Sequence, residues 1–142
     1  MANYCCATRS SYFRVKDVDA FRIMMEKVEC AEDCLSVWEE VDDNGELYFA
    51  FGCYSAIAGL PDDDDEITED SYDNFANELK NHVIDGDAII IFEAGNEKLR
   101  YVGGCATIVT SNTVSYINLS DAAIAKCRDV LNNPTFTINP AY

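Results

Sequence analysis

The sequence predicts an α+β domain, a mostly antiparallel sheet of about five to six strands with three helices in the order β-α-β-β-α-β-β-β-α. Three observations predict it. Two runs rich in aromatic and β-branched residues, 35–41 and 47–53, flank Asp42-Asp43-Asn44-Gly45, whose Asn-Gly supplies the positive φ angles of a tight hairpin. Three other windows repeat apolar residues at helical spacing behind a capping residue. With 142 residues, 49% of them hydrophobic, the chain suffices for one core burying roughly two thirds of its unfolded surface, so 1–142 reads as a single domain.

Taken in order, residues 3–15 read as a strand with a bulge near Ser10-Ser11, because Tyr, Cys, Thr, Phe and Val favour a pleated surface. Asp17 caps a helix over 18–28 whose inner stripe is Phe21, Met24, Met25 and Val28. In the hairpin's second strand Leu47, Phe49, Phe51 and Cys53 alternate with Tyr48, Ala50 and Gly52. An irregular loop, 54–61, leads into the acidic run from Asp62 to Asp73, which Ile67 interrupts as an anchor. Asp70 or Ser71 caps a second helix with Tyr72, Phe75, Leu79, His82 and Val83 on one side.

The continuous apolar run 88–92 predicts a central strand covered on both faces. Gly95-Asn96 permits a turn into 99–109, where Gly103-Gly104 suggests a bulge or the close approach of another backbone. Ser111-Asn112 turns into 114–119, and Ser120 or Asp121 caps a last helix with Ile124, Cys127, Val130 and Leu131 inward, ending before Pro134. The tail to Tyr142, with Pro140, reads as extended. Asp19-Ala20-Phe21 and Asp73-Asn74-Phe75 echo each other, each before a hairpin, over too short a span to establish duplication.

Ten Lys and Arg stand against 26 Asp and Glu, a formal charge of −16. That exceeds the magnitude of about 2 to 8 that keeps a small domain soluble. The field disfavours direct nucleic-acid binding and anionic membranes, and the natural partner is a basic surface such as one that grips DNA or RNA. The expected contact is an acidic patch of Asp62, Asp63, Asp64, Asp65, Glu66, Glu69, Asp70 and Asp73, with Asp42 and Asp43 beside it. Tyr54, Ile57, Leu60 and Ile67 are candidate apolar anchors, since charge mainly supplies steering. The bland alternative is an acidic composition of which the 69–73 part serves the helix dipole.

Seven cysteines, an odd count, with neither a secretion-type N-terminus nor an apolar run of membrane length, read as free thiols in a cytoplasm. Cys53, Cys105 and Cys127 read as small buried hydrophobes. Cys30 and Cys34 with Cys5-Cys6 could make a four-thiolate zinc site if the first strand lay beside the end of the first helix. That spacing is not diagnostic, and the expectation is no metal. The acidic run lacks the rhythm of an EF-hand loop, and no carboxylate pair stands out as acid and base. His82, the single histidine, reads as a partly buried helix-end residue, so no cofactor and no enzymatic chemistry are expected. Arg9, Tyr12, Arg14, Lys98 and Arg100 on or near strands define an alternative site, an anion pocket for a nucleotide sponge, weighed against ordinary surface ion pairs.

Asn3-Tyr4, Arg9-Ser10, Tyr12-Phe13, Val15-Lys16-Asp17, Ala20-Phe21 and the stretch from Gly95 to Tyr101 resemble a family of small acidic proteins carried by phages, plasmids and other mobile elements of bacteria. The resemblance implies a setting shared with anti-CRISPR and anti-restriction proteins, many of which occupy the surface on which a defence nuclease binds nucleic acid. A further alternative is a generic interaction module of a mobile element.

Overall fold

The computed structural model describes residues 4–138, and it has the expected α+β class. The strands are β1 (Cys5–Ser10), β2 (Glu29–Cys30), β3 (Ser36–Val41), β4 (Leu47–Cys53), β5 (Ile57–Gly59), β6 (Ala88–Glu97), β7 (Tyr101–Thr110) and β8 (Val114–Asn118). The helices are α1 (Val18–Met25), α2 (Ser71–His82) and α3 (Leu119–Val130). Six strands form one antiparallel sheet in the order β3-β4-β1-β6-β7-β8, and β2 pairs with β5 in a small second sheet. The segment β1-α1-β3-β4-α2-β6, with strand order β3-β4-β1-β6, is a split βαβ arrangement of ferredoxin-like type, which β7, β8 and α3 extend. Topology of this kind hosts many functions and selects none.

The core lies between the helices and one sheet face. Phe49 and Phe51, alternate residues of β4, meet Phe21 of α1 at 4.7 Å and Phe75 of α2 at 5.6 Å between ring centroids. Phe13 joins them edge-on, and Leu79, Val83, Ile89, Ile91 and Val109 complete a fully buried set. Burying each such side chain contributes about 1.5–3 kcal/mol. Asp17 caps α1 as expected, accepting from the Ala20 N–H at 3.1 Å. Asp70 occupies the N-cap of α2 without a side-chain bond, and the Thr68 N–H donates instead to Ser71 Oγ at 2.8 Å.

Several expectations are corrected. The first strand stops at Ser10: Ser11 N–H donates to Ile90 O, the Phe51 N–H to Ser10 Oγ, and Phe13 bridges to Phe49, so the chain changes partners where a bulge was read. Asn3 and the end of the tail, 139–142, lie outside the described residues. Strand β6 is internal to the sheet but covered on one face only, and Phe92 is 52% exposed on the other. It runs through Gly95-Asn96 to Glu97, with Lys98 turning at φ 50°. The β6–β7 register is continuous past Gly103-Gly104, so there is no bulge, and what packs over Gly103 is the Tyr101 side chain rather than another backbone. Asn118, not Ser120 or Asp121, caps α3, accepting from the Asp121 N–H at 2.7 Å. The apolar stripe of α3 is not inward: Ile124 is half-buried, whereas Cys127, Val130 and Leu131 are exposed. Cys105 is exposed too, so of the three thiols read as core only Cys53 is buried.

Candidate functional site

The acidic run begins with a built turn. Asp62 Oδ1 accepts from the Asp64 and Glu66 N–H groups at 2.9 Å each, Asp65 N–H donates to Asp62 O at 3.0 Å, and Asp62 N–H donates to Glu66 O at 2.8 Å. With its own carboxylate spent on the backbone, Asp62 leaves Asp63, Asp64, Asp65 and Glu66 exposed. The Asp42 turn repeats every bond: Asp42 Oδ1 accepts from Asn44 and Glu46 N–H at 2.9 Å each, Gly45 N–H donates to Asp42 O, and Asp42 N–H to Glu46 O, both at 3.0 Å.

The Asp62 turn borders a groove of about 860 Å³ between α1 and α2. Glu26 and Glu29 reach it from the end of α1 and beyond, Glu78 from α2, and Asp62, Asp63 and Asp65 from the turn; among the described residues Lys27 is the one cation in its lining. Leu60, Ile23 and Met24 supply apolar floor. Asp42 and Asp43 do not line this groove, being at the tip of the β3–β4 hairpin. Asp73 is also diverted, since it accepts from Tyr116 Oη at 2.8 Å. Burial first, then that bond, pushes the Tyr116 hydroxyl up to about 12. Glu69 and Asp70 are exposed on the approach to α2. Among the anchors Tyr54 is 88% exposed and Ile67 40%, but Ile57 is core and Leu60 packs against it, so two of the four are free to meet a partner. Glu26, Glu29 and Glu78 were missed, because only the packing of α1, α2 and the turn brings three distant segments together.

The alternative anion pocket does not assemble. Arg9 stacks on Trp38, 4.3 Å from the ring centroid, with Tyr12 at 5.8 Å, on the sheet face opposite the helices. Arg14 lies apart from it over Tyr48, its backbone N–H bonded to Asp87 at 2.9 Å and its Nε buried without a hydrogen bond, 3.9 Å from the same carboxylate. Arg9 pairs with Phe92, and from Phe92 to Lys98 the strand path is roughly 20 Å at about 3.3 Å per residue. There Arg100 pairs with Glu97 at 3.9 Å. The five residues are thus dispersed over one open sheet face and a distant turn.

A second cluster is made of sulfur. The ligand atoms of Cys30, Asp33 and Cys53 all lie within 4.8 Å of one another. Burial first, then its hydrogen bond with Cys53, pushes the Cys30 thiol up to about 12. Cys6 sits on the same sheet face as Thr8, whose partner is Cys53, and burial followed by the Glu93 charge raises it to about 11. Asp33 is held below the usual carboxylate range by the Ser55 hydroxyl at 2.6 Å and the Tyr54 N–H at 2.8 Å. His82 is as expected, a helix-end side chain 15% exposed, against Phe21 and 3.8 Å from Glu78.

Comparison with known protein families, with curated proteins and with solved structures gives no match. Among the described residues no helix is long and apolar enough to cross a membrane.

Proposed function

We propose that the chain is a non-enzymatic inhibitor of counter-defence type, acting in the cytoplasm of a bacterial host, whose acidic groove docks on the basic nucleic-acid-binding surface of a defence protein. The observation that carries this reading is the groove itself: six acidic residues line it with one lysine, and the Asp62 turn fixes the backbone that presents three of the six. A preordered acidic surface loses less conformational freedom on docking than a mobile tail does. It also opposes a phosphate-binding channel with charge of the sign that channel is built to receive. Exposed Tyr54 and Ile67 would supply the desolvated contacts that charge alone does not. The resemblance to small acidic proteins of mobile elements supplies the biological setting.

The test is capture from a bacterial lysate on immobilised protein at low and high salt, with duplex DNA or RNA as competitor and mass spectrometry of what is bound. A nucleic-acid-binding protein released both by salt and by competitor, and not captured by an Asp63→Lys, Asp65→Lys variant, is the expected result. Capture that is indifferent to all three would remove the proposal.

A further inference from the structure

We propose that Cys30, Asp33 and Cys53, with Cys34 as fourth ligand, bind one divalent cation of the zinc class that clamps the 31–35 loop to the end of β4. Three ligand atoms already lie within 4.8 Å of one another, close to the spacing a tetrahedral ion needs with metal–sulfur bonds of about 2.3 Å. Cys30 and Cys34 stand in the C-x3-C spacing of local zinc ligand pairs, and both line the cleft beside α1 with Asp33, so a fourth thiolate is available at the exposed side.

The surroundings support the ligands. Ser55 Oγ donates to Asp33 Oδ1 at 2.6 Å, the Tyr54 N–H to Oδ2 at 2.8 Å, and the Ala31 N–H to Ala56 O at 2.8 Å. These bonds orient the carboxylate and hold the two chain segments in register, as outer partners do around metal sites. The mixed sulfur and carboxylate set selects a borderline ion over calcium or magnesium, which take oxygen ligands. Binding exchanges three thiol protons, released to solvent, for three metal–sulfur bonds, and the Asp33 carboxylate completes the shell. The quartet read from sequence, Cys5, Cys6, Cys30 and Cys34, thus changes membership. The β2–β5 pairing, with β5 following β4 after a short turn, brings Cys53 beside Cys30, and alternation along β1 turns Cys5 to the opposite face from Cys6.

The experiment is metal analysis of the full chain purified without chelator, followed by cobalt titration of the chelated protein and thermal melts with and without zinc. About one equivalent of zinc, a cobalt–thiolate charge-transfer band with tetrahedral d–d bands, and a midpoint raised by several degrees are expected. Cys30→Ser and Cys53→Ser should lose most of the metal, whereas Cys105→Ser and Cys127→Ser, exposed thiols outside the cluster, should keep it. If the serine variants fail to fold, the cobalt spectrum of the unaltered chain decides. Octahedral cobalt with no thiolate band overturns the site, and so does a Cys30–Cys53 disulfide in protein purified under reducing, anaerobic conditions.

Discussion

The Asp42 and Asp62 turns have the same hydrogen bonds and different consequences. Both use the first Asp to accept two backbone N–H groups, and both place the fourth residue in the left-handed region, Gly45 at φ 81° and Asp65 at φ 60°. The first joins two strands of the main sheet and carries glycine where that conformation is free of cost. The second joins no hairpin and carries an aspartate there, at some expense in backbone energy. The left-handed aspartate adds exposed charge where the left-handed glycine adds none, which is the difference between a folding device and a surface one.

The largest expected effect separates the two by charge. Lysine at Asp63 and Asp65 together, both in the groove lining, should weaken binding to the captured partner by about tenfold or more and flatten its salt dependence. Lysine at Asp43 and Glu46, in the same local geometry outside the groove, should change it little. Equal losses from both would mean that net charge, not the groove, governs the interaction. The next effect is structural: Asp62→Ala, which leaves two N–H groups without their carboxylate, should cost about 1 kcal/mol in urea melts and raise proteolysis at the loop before global unfolding. Asp42→Ala acts in the same sense on the hairpin, so its loss should appear in the global transition. Smaller still, Asp65→Gly should stabilise by up to about 1 kcal/mol and Gly45→Asp destabilise by a similar amount. No change on Asp65→Gly would mean the left-handed aspartate is not strained.

The paired turns also mark what a single sequence discloses. The hairpin, the Asp17 cap and the inner face of β4 were legible because each rests on neighbours in sequence. The repeat Asp-Asp-x-x-Glu was present at 42–46 and 62–66, and it was the available signal that the acidic loop is ordered. The groove was not legible, since Glu26, Glu29 and Glu78 converge only through helix packing. Periodicity in α3 gave the stripe and not its occupant, and Val130 is 71% exposed. Cys53 could be read as buried but not as a neighbour of Cys30, because that contact depends on the β2–β5 pairing and the path of the loop between them.

The Asp42 turn also carries a response to acid. The Glu46 N–H and then the Asn44 N–H hold the Asp42 carboxyl below its ordinary value, although it is fully exposed. A carboxyl lowered by folding contributes stability that is complete above its unfolded pKa of about 3.9 and is lost as pH falls through the folded value. Protonation removes an acceptor that two N–H groups share, in a turn that sets the β3–β4 register, so the loss enters global stability. Urea midpoints measured from pH 6 down to pH 2 should therefore fall below about pH 4. Asp42→Asn should lower the plateau and flatten part of the acid limb. An acid limb unchanged in Asp42→Asn would assign acid sensitivity elsewhere and leave the hairpin turn held by Gly45 and strand pairing rather than by its carboxylate.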